Sequence, residues 1–260
     1  MAAALLPDAK GLLLAGTERH EGSVCKVDLE GNPQWKKTYV HKWAVRGEKD
    51  VGAFRSIALA DDQGGFVVAG DFGKISKFGW GEKSAWLLRC DAAGNVLSEV
   101  TFPGRDPSVC AIGRERFAIL YDAGSGMSMD SSVCLLDREL RKRWETKVDI
   151  IATCFDLPTI SSIPSHCGFL AAGRRPIHDK TPATQGGAAL FPCVILQLDA
   201  SGHIVSSTSI PVANRTTSNA HLACTNTRAY VALGTQGSTM LYCSAPEAGI
   251  FDVPINTKTK

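Results

Sequence analysis

The chain lacks several features, and each absence narrows what it can be. No window of about 18 uninterrupted apolar residues exists, so a membrane-spanning helix is excluded. Neither sign of charge dominates. The 28 Lys and Arg nearly balance 26 Asp and Glu, and the net +2 implies neither nucleic acid nor a membrane surface as partner. No extended stretch carries the 3.6-residue apolar period of an amphipathic helix. No CxxC pair is present, so the usual zinc and redox spacings are missing. HExxH, GxSxG after a strand and GxxxxGK[ST] are missing too, which removes the common routes to a zinc protease, a serine hydrolase or a nucleotide-binding loop. Gly124-Ser125-Gly126 falls short of a nucleophile elbow, and Ser165-His166-Cys167 is a lone triplet with no partner pattern. The six histidines are scattered and show no ligand spacing. No cofactor and no metal site follow from these residues. The start, Met1 to Pro7, has no basic segment and only a short apolar run, so it is not an intact signal peptide. Two compartments remain open: the cytoplasm, or the periplasm if a signal peptide was removed before Met1.

What is present is a folded protein's composition. The 260 residues are 44% hydrophobic, enough for a substantial core, and 25 Gly with 12 Pro supply many turns. The nine cysteines are an odd number, so at least one thiol is free unless it pairs between chains.

The organising signal is an internal repeat. A short apolar run ending in a small residue or Tyr recurs as Leu12–Gly16, Phe66–Gly70, Phe117–Tyr121, Phe169–Gly173 and Tyr230–Gly234, with end points 54, 51, 52 and 61 residues apart. A second run follows each, ending in a polar turn: Val24–Asp28, Trp86–Asp91, Val133–Asp137, Val194–Asp199 and Met240–Ser244. The turn repeats as well. Asp28, Gly31 and Trp35 define its spacing, which Asp91 with Gly94, Asp199 with Gly202 and Asp137 with Trp144 share. Asp bonds its own backbone two residues on, Gly supplies a positive φ, and the Trp then lands on the next strand, where its ring can cover a neighbouring sheet. Ahead of each first run lies one more candidate strand: Ala3–Leu6, Ser56–Leu59, Ser108–Ala111, Ala152–Phe155 and Ala220–Cys224. Four short strands in roughly 50 residues, repeated, predict an all-β five-bladed β-propeller with four-stranded antiparallel blades. The single domain 1–260 divides into blades at about 1–40, 52–102, 107–148, 151–212 and 218–257.

The segments Gly65–Gly70 and Ala85–Gly94, and in the first unit Lys26–Trp35, resemble bacterial β-propeller repeats of the delta-60-like type. The resemblance implies a propeller, often in exported bacterial proteins, and carries over no catalytic residue. The repeat also accounts for cysteines. Cys25 and Cys134 lie three residues before the turn Asp, and Cys90 and Cys243 one before the equivalent position, so all four share a strand face. That pattern predicts core packing and not a metal site.

Function is expected on the rim that carries the connections between second and third strands and between blades. These read as long: Thr17–Ser23, Asp71–Ser84, Asp122–Ser132, Arg174–Phe191 and the inter-blade segment Val40–Gly52. They hold His41, Trp43, Arg46, Phe72, Lys77, Phe78, Trp80, Met127, Met129, Arg175, Ile177 and His178. Aromatic, Met and Arg residues gathered on one rim suit a protein partner. The competing reading has the rings plugging their own loops against the scaffold. A nucleic-acid surface would use Lys42, Arg46, Lys74, Lys77, Arg174 and Arg175, and the near-neutral chain makes nucleic acid an unlikely partner. The expectation is a non-catalytic, soluble propeller that binds a protein, in its concrete form a bacterial inhibitor or immunity protein blocking an effector enzyme. The alternative is a carbohydrate-binding or glycan-processing five-bladed propeller, by analogy of fold alone. A third expectation is that the chain forms one portion of a larger ring.

Overall fold

The computed structural model describes residues 2–41, 50–74, 83–124, 131–150, 159–163, 168–174, 193–210, 217–224, 228–235 and 249–254. These fall into sheets whose strands follow one another in chain order, every pairing antiparallel. The first sheet is β1 (Ala2–Leu5), β2 (Gly11–Glu18), β3 (Glu21–Asp28) and β4 (Pro33–Tyr39). The second is β5 (Asp50–Leu59), β6 (Phe66–Lys74), β7 (Lys83–Cys90) and β8 (Val96–Pro103). The third is β9 (Arg105–Ile112), β10 (Arg116–Asp122), β11 (Ser131–Asp137) and β12 (Lys142–Val148). The fourth is β13 (Thr159–Ser162), β14 (Phe169–Arg174), β15 (Cys193–Leu198) and β16 (Ile204–Ile210). A three-stranded sheet of β17 (Thr217–Cys224), β18 (Arg228–Thr235) and β19 (Gly249–Pro254) follows.

Successive sheets meet through their first strands. β1 and β2 lie against β5, β5 against β9, β9 against β13, and β13 against β17. Ser56 on β5 ties two of these inner strands together, its hydroxyl accepting from the Val109 amide at 3.0 Å. Antiparallel four-stranded sheets stacked in sequence about their first strands are the architecture of a β-propeller.

The core lies between sheets. One cluster joins Leu13, Ala15 and Val24 to Phe66, Val68, Trp86 and Leu88. The next joins Val67, Ala69 and Leu87 to Phe117, Ile119, Cys134 and Leu136. The third joins Ala118, Leu120, Val133 and Leu135 to Phe169, Ala171, Val194 and Leu196. Alternate residues of one strand thus serve opposite clusters. Both faces are covered, which is why the middle strands read as continuous apolar runs.

The Asp turn recurs four times with one geometry. The amides of Gly31, Gly94, Leu140 and Gly202 donate to the carbonyls of Asp28, Asp91, Asp137 and Asp199 at 3.1, 2.9, 3.0 and 3.1 Å. Each Asp Oδ1 also accepts the amide four residues on, from Asn32, Asn95, Arg141 and His203. The third turn residue has positive φ throughout, at 87°, 77°, 62° and 86°, and in the third sheet a leucine takes that conformation. The following tryptophans reach across the joints. Trp35 stacks on Phe66 with centroids 6.2 Å apart, and Trp144 on Phe169 at 5.8 Å. Beside them, Tyr39 donates to the Gly94 carbonyl at 2.9 Å, and Thr146 and Trp144 donate to Gly202 and Ala200 at 3.0 and 3.1 Å. The last strand of one sheet therefore grips the Asp turn of the next.

Three expectations change. Thr17–Ser23 is not a long loop: β2 and β3 run to Glu18 and from Glu21, and Arg19 and His20 turn between them with φ of 48° and 74°, as a two-residue hairpin requires. In the fourth sheet the strand paired to β14 is Thr159–Ser162, while Ala152–Phe155 lies outside the described residues. In the last sheet β18 pairs with Gly249–Pro254, and Met240–Ser244 lies outside the described residues.

Candidate functional site

All ten residues expected to bind a partner, Trp43, Arg46, Lys77, Phe78, Trp80, Met127, Met129, Arg175, Ile177 and His178, lie outside the described residues. The strand ends that feed their segments are described: the end of β4, the base of β6 and β7, and the ends of β10 and β14. Two built features occupy this rim.

The first is aromatic. His41, just past β4, is 3% exposed. Its ring stacks on Phe72 with centroids 3.9 Å apart and meets Trp86 edge-on at 5.5 Å. Its Nε2 lies 3.5 Å from Glu99 Oε1, which accepts from Trp86 Nε1 at 3.0 Å. Phe54 stacks on Trp86 at 4.9 Å and completes the cluster. His41 and Phe72, read as surface of a binding rim, instead plug the rim against the scaffold. Trp86 sits on a buried strand, and its indole N–H needs an acceptor, which Glu99 supplies from the neighbouring strand.

The second is charged. Asp71 near the end of β6, Asp106 at the start of β9 and Asp122 at the end of β10 are 4%, 1% and 2% exposed. Arg55 Nε donates to Asp71 Oδ2 at 3.0 Å and lies 3.6 Å from Asp106 Oδ1. Lys83 at the start of β7 lies 3.8 Å from the same Asp71 oxygen. Arg105 Nε donates to Asp122 Oδ2 at 2.7 Å. The backbone builds this cluster. β5 shifts register between Phe54 and Ser56, which leaves Arg55 out of the regular pairing. β9 shifts register where Arg105 pairs with Asp122, and Asp106 takes φ of 51°. A Cβ at Gly104 would collide with the Asp122 carbonyl, so that approach needs glycine. Burial first, then the Asp71 charge, pushes the Asp106 carboxyl up to about 6 against the pull of Arg55 and Lys83.

The sequence carries a faint signal for this cluster. Each Asp follows an apolar run by one residue, at Asp71 after Gly70 and Asp122 after Tyr121, and equivalent positions elsewhere hold Thr17, Arg174 and Thr235. The arginines that pair with them sit at irregularities of register, which no sequence pattern marks. Among the described residues no group of three or more His, Cys, Asp or Glu is placed to hold a metal ion. Cys25, Cys90 and Cys134 are free thiols. Cys90 and Cys134 lie in successive inter-sheet clusters, as the repeat predicts.

No family model matches the chain, and no curated protein matches it. Among solved structures it is similar to an exo-β-1,3-galactanase from Phanerochaete chrysosporium (11% identity, 97% of this chain, 59% of that one, TM-score 0.49). It is similar to TolB from Acinetobacter baumannii (11% identity, 98% and 54%, TM-score 0.46) and to the WD40 domain of SCAP from fission yeast (11% identity, 87% and 56%, TM-score 0.41). The chain spans little more than half the length of these proteins. They are β-propeller proteins of four-stranded antiparallel sheets. At these scores the likeness adds no weight to the fold, which rests on the chain's own sheet order.

Proposed function

We propose that the chain is a non-catalytic, five-bladed propeller of the delta-60-like type, one domain over residues 1–260, which binds a protein partner through its long-connection rim. The supporting observation is the asymmetry of the two rims. On one, the Asp turns close with tight hairpins in four sheets. On the other, β6 and β7 stop at Lys74 and Lys83, β10 and β11 at Asp122 and Ser131, and β14 and β15 at Arg174 and Cys193. A rigid scaffold with long segments on one face is the usual arrangement of a binding surface. Trp43, Arg46, Lys77, Phe78, Trp80, Met127, Met129, Arg175, Ile177 and His178 supply the residue types that anchor interfaces. The concrete form is a bacterial inhibitor or immunity protein that covers an effector enzyme.

Closure of the ring by the last sheet has its own support. Leu12, Leu14 and Cys25 are half-buried, whereas their repeat equivalents Phe66, Val68 and Leu88 are at most 2% exposed against the preceding sheet. The first sheet thus carries an apolar face built to be covered. The register of the last sheet aligns Leu222, Val231 and Phe251 in one row.

The glycan-processing reading gains less from the geometry. Asp71 and Asp106 are enclosed and share one arginine, where a glycosidase needs two carboxylates open to a sugar. The test is affinity capture from the native host with wild type and a Trp43→Ala, Trp80→Ala, Arg175→Ala variant of equal melting temperature. Loss of a specific captured protein supports the reading. Identical capture by both proteins overturns it.

A further inference from the structure

Asp106 poses a problem of satisfaction. Among the described residues neither of its carboxylate oxygens has a hydrogen-bond partner, although the residue is 1% exposed. An ionised carboxylate so enclosed and without a donor is costly. Its backbone amide donates to Asp71 Oδ1 at 2.6 Å, so the two residues are locked together across the joint between the second and third sheets. One guanidinium nitrogen, Arg55 Nε, reaches both carboxylates at 3.0 and 3.6 Å. The other charged groups described around the pair are Lys83 on β7, 3.8 Å from Asp71, and Arg105 on β9, which Asp122 of β10 engages at 2.7 Å. With Arg105 engaged by Asp122, Arg55 and Lys83 are the described cations facing two carboxylates, and both lie closer to Asp71.

We propose that the enclosed Asp106 carries a proton beside the Asp71 carboxylate, and that this proton makes the joint between the second and third sheets pH-sensitive. A proton on Asp106 neutralises an enclosed carboxyl that has no donor among the described residues and gives it a hydrogen to donate. The Asp71 charge, held beside Asp106 by the 2.6 Å amide bond, disfavours ionisation of Asp106, and the enclosure strengthens that repulsion. The burial that pushes the Asp106 carboxyl up to about 6 acts in the same direction. The pair sits at the joint in place of an apolar contact. At the equivalent position one sheet earlier stands Phe54, stacked on Trp86. Where the first joint is sealed by rings, the second is closed by an enclosed acid and the Asp71 carboxylate that holds its amide. Deprotonation leaves two facing anions to the cations Arg55 and Lys83 and loosens the contact between β6 and β9.

The test is carboxyl-carbon NMR titration of the full chain labelled at aspartate. Asp106 is expected to keep a protonated carboxyl shift at about pH 5, beyond the ordinary aspartate range. Asp71→Asn keeps the acceptor for the Asp106 amide and removes the neighbouring charge, so the Asp106 midpoint should fall by about one pH unit or more. Deprotonation of Asp106 below about pH 4 in the wild type overturns the proposal, as does an Asp106 midpoint unmoved by Asp71→Asn. The wild-type titration needs no variant, so a misfolded substitution cannot shelter the proposal.

Discussion

Burial decides what single residues of this chain can do. Burial pushes the thiols of Cys90 and Cys134 up to about 12, and Cys25 on the first sheet is only half-buried. The thiolate is the reactive form, so titration of the native protein with a disulfide reagent should modify Cys25 well before Cys90 and Cys134, which should react only on unfolding. Rapid native modification of Cys90 would contradict this packing. The same logic gives Asp106 a pH dependence. Its folded carboxyl holds a proton up to about pH 6, and the unfolded one only to the ordinary aspartate value of 3.8. The folded state therefore binds the extra proton between these values. The stability this contributes is full below about pH 4 and is lost as pH rises through about 6, on the order of 2–3 kcal/mol. Urea midpoints at pH 4 and pH 7 should separate wild type from Asp106→Asn mainly through this window. Parallel profiles would refute it. The cysteine positions were legible in the repeat, since offsets of one and three from the turn Asp share a face. The Asp106 pair was not, because it depends on a register shift and on a contact between residues 35 apart in the chain.

At the scale of the element, the Asp turn and the tryptophan after it work as one coupling. The turn fixes where the last strand begins, and Trp35 and Trp144 then stack on Phe66 and Phe169 of the next sheet. Both tryptophans are only partly buried, so Trp144→Ala should lower unfolding free energy by about 2–3 kcal/mol, toward the low side of buried aromatic truncations. Tyr39→Phe removes the bond to the Gly94 carbonyl and should cost about 1 kcal/mol. Denaturant unfolding measures both, and a Trp144→Ala protein as stable as wild type would show that the stacking joins nothing. Leu140 tests the turn itself. It adopts φ of 62° where the other turns have glycine, yet it is 1% exposed. Leu140→Gly relieves about 1 kcal/mol of backbone strain and loses about 2–4 kcal/mol of packing, so the net should be destabilising. The turn was legible because local backbone chemistry dictates it. The grip of Tyr39 and Thr146 on the following turn was not, because nothing in either strand names its partner.

At the scale of the molecule, the question is what covers the outer face of the first sheet. If the last sheet does, Leu14→Asp places a charge in a sealed joint and should cost several kcal/mol with loss of cooperative unfolding. If that face is open to water, the variant should fold as well as wild type. Thermal unfolding of the two proteins, followed by circular dichroism, distinguishes the outcomes. The exposed Leu5, at 54%, provides the control, since Leu5→Asp should be mild.

The sequence alone determined the repeat and the strands of the first three sheets, but not the first strand of the fourth sheet or the strand paired to β18 in the last. The repeat and its legible strands follow from short continuous apolar runs and Asp turns, which act over a few residues. The sequence misplaced a long connection at Arg19 and His20, where positive φ closes a two-residue turn that no glycine announces. Only the tertiary structure decided that His41 is buried with Phe72 packed on it and that Asp71, Asp106 and Arg55 converge. Burial and charge pairing arise where sheets distant in sequence meet, and a chain read residue by residue does not contain that distance.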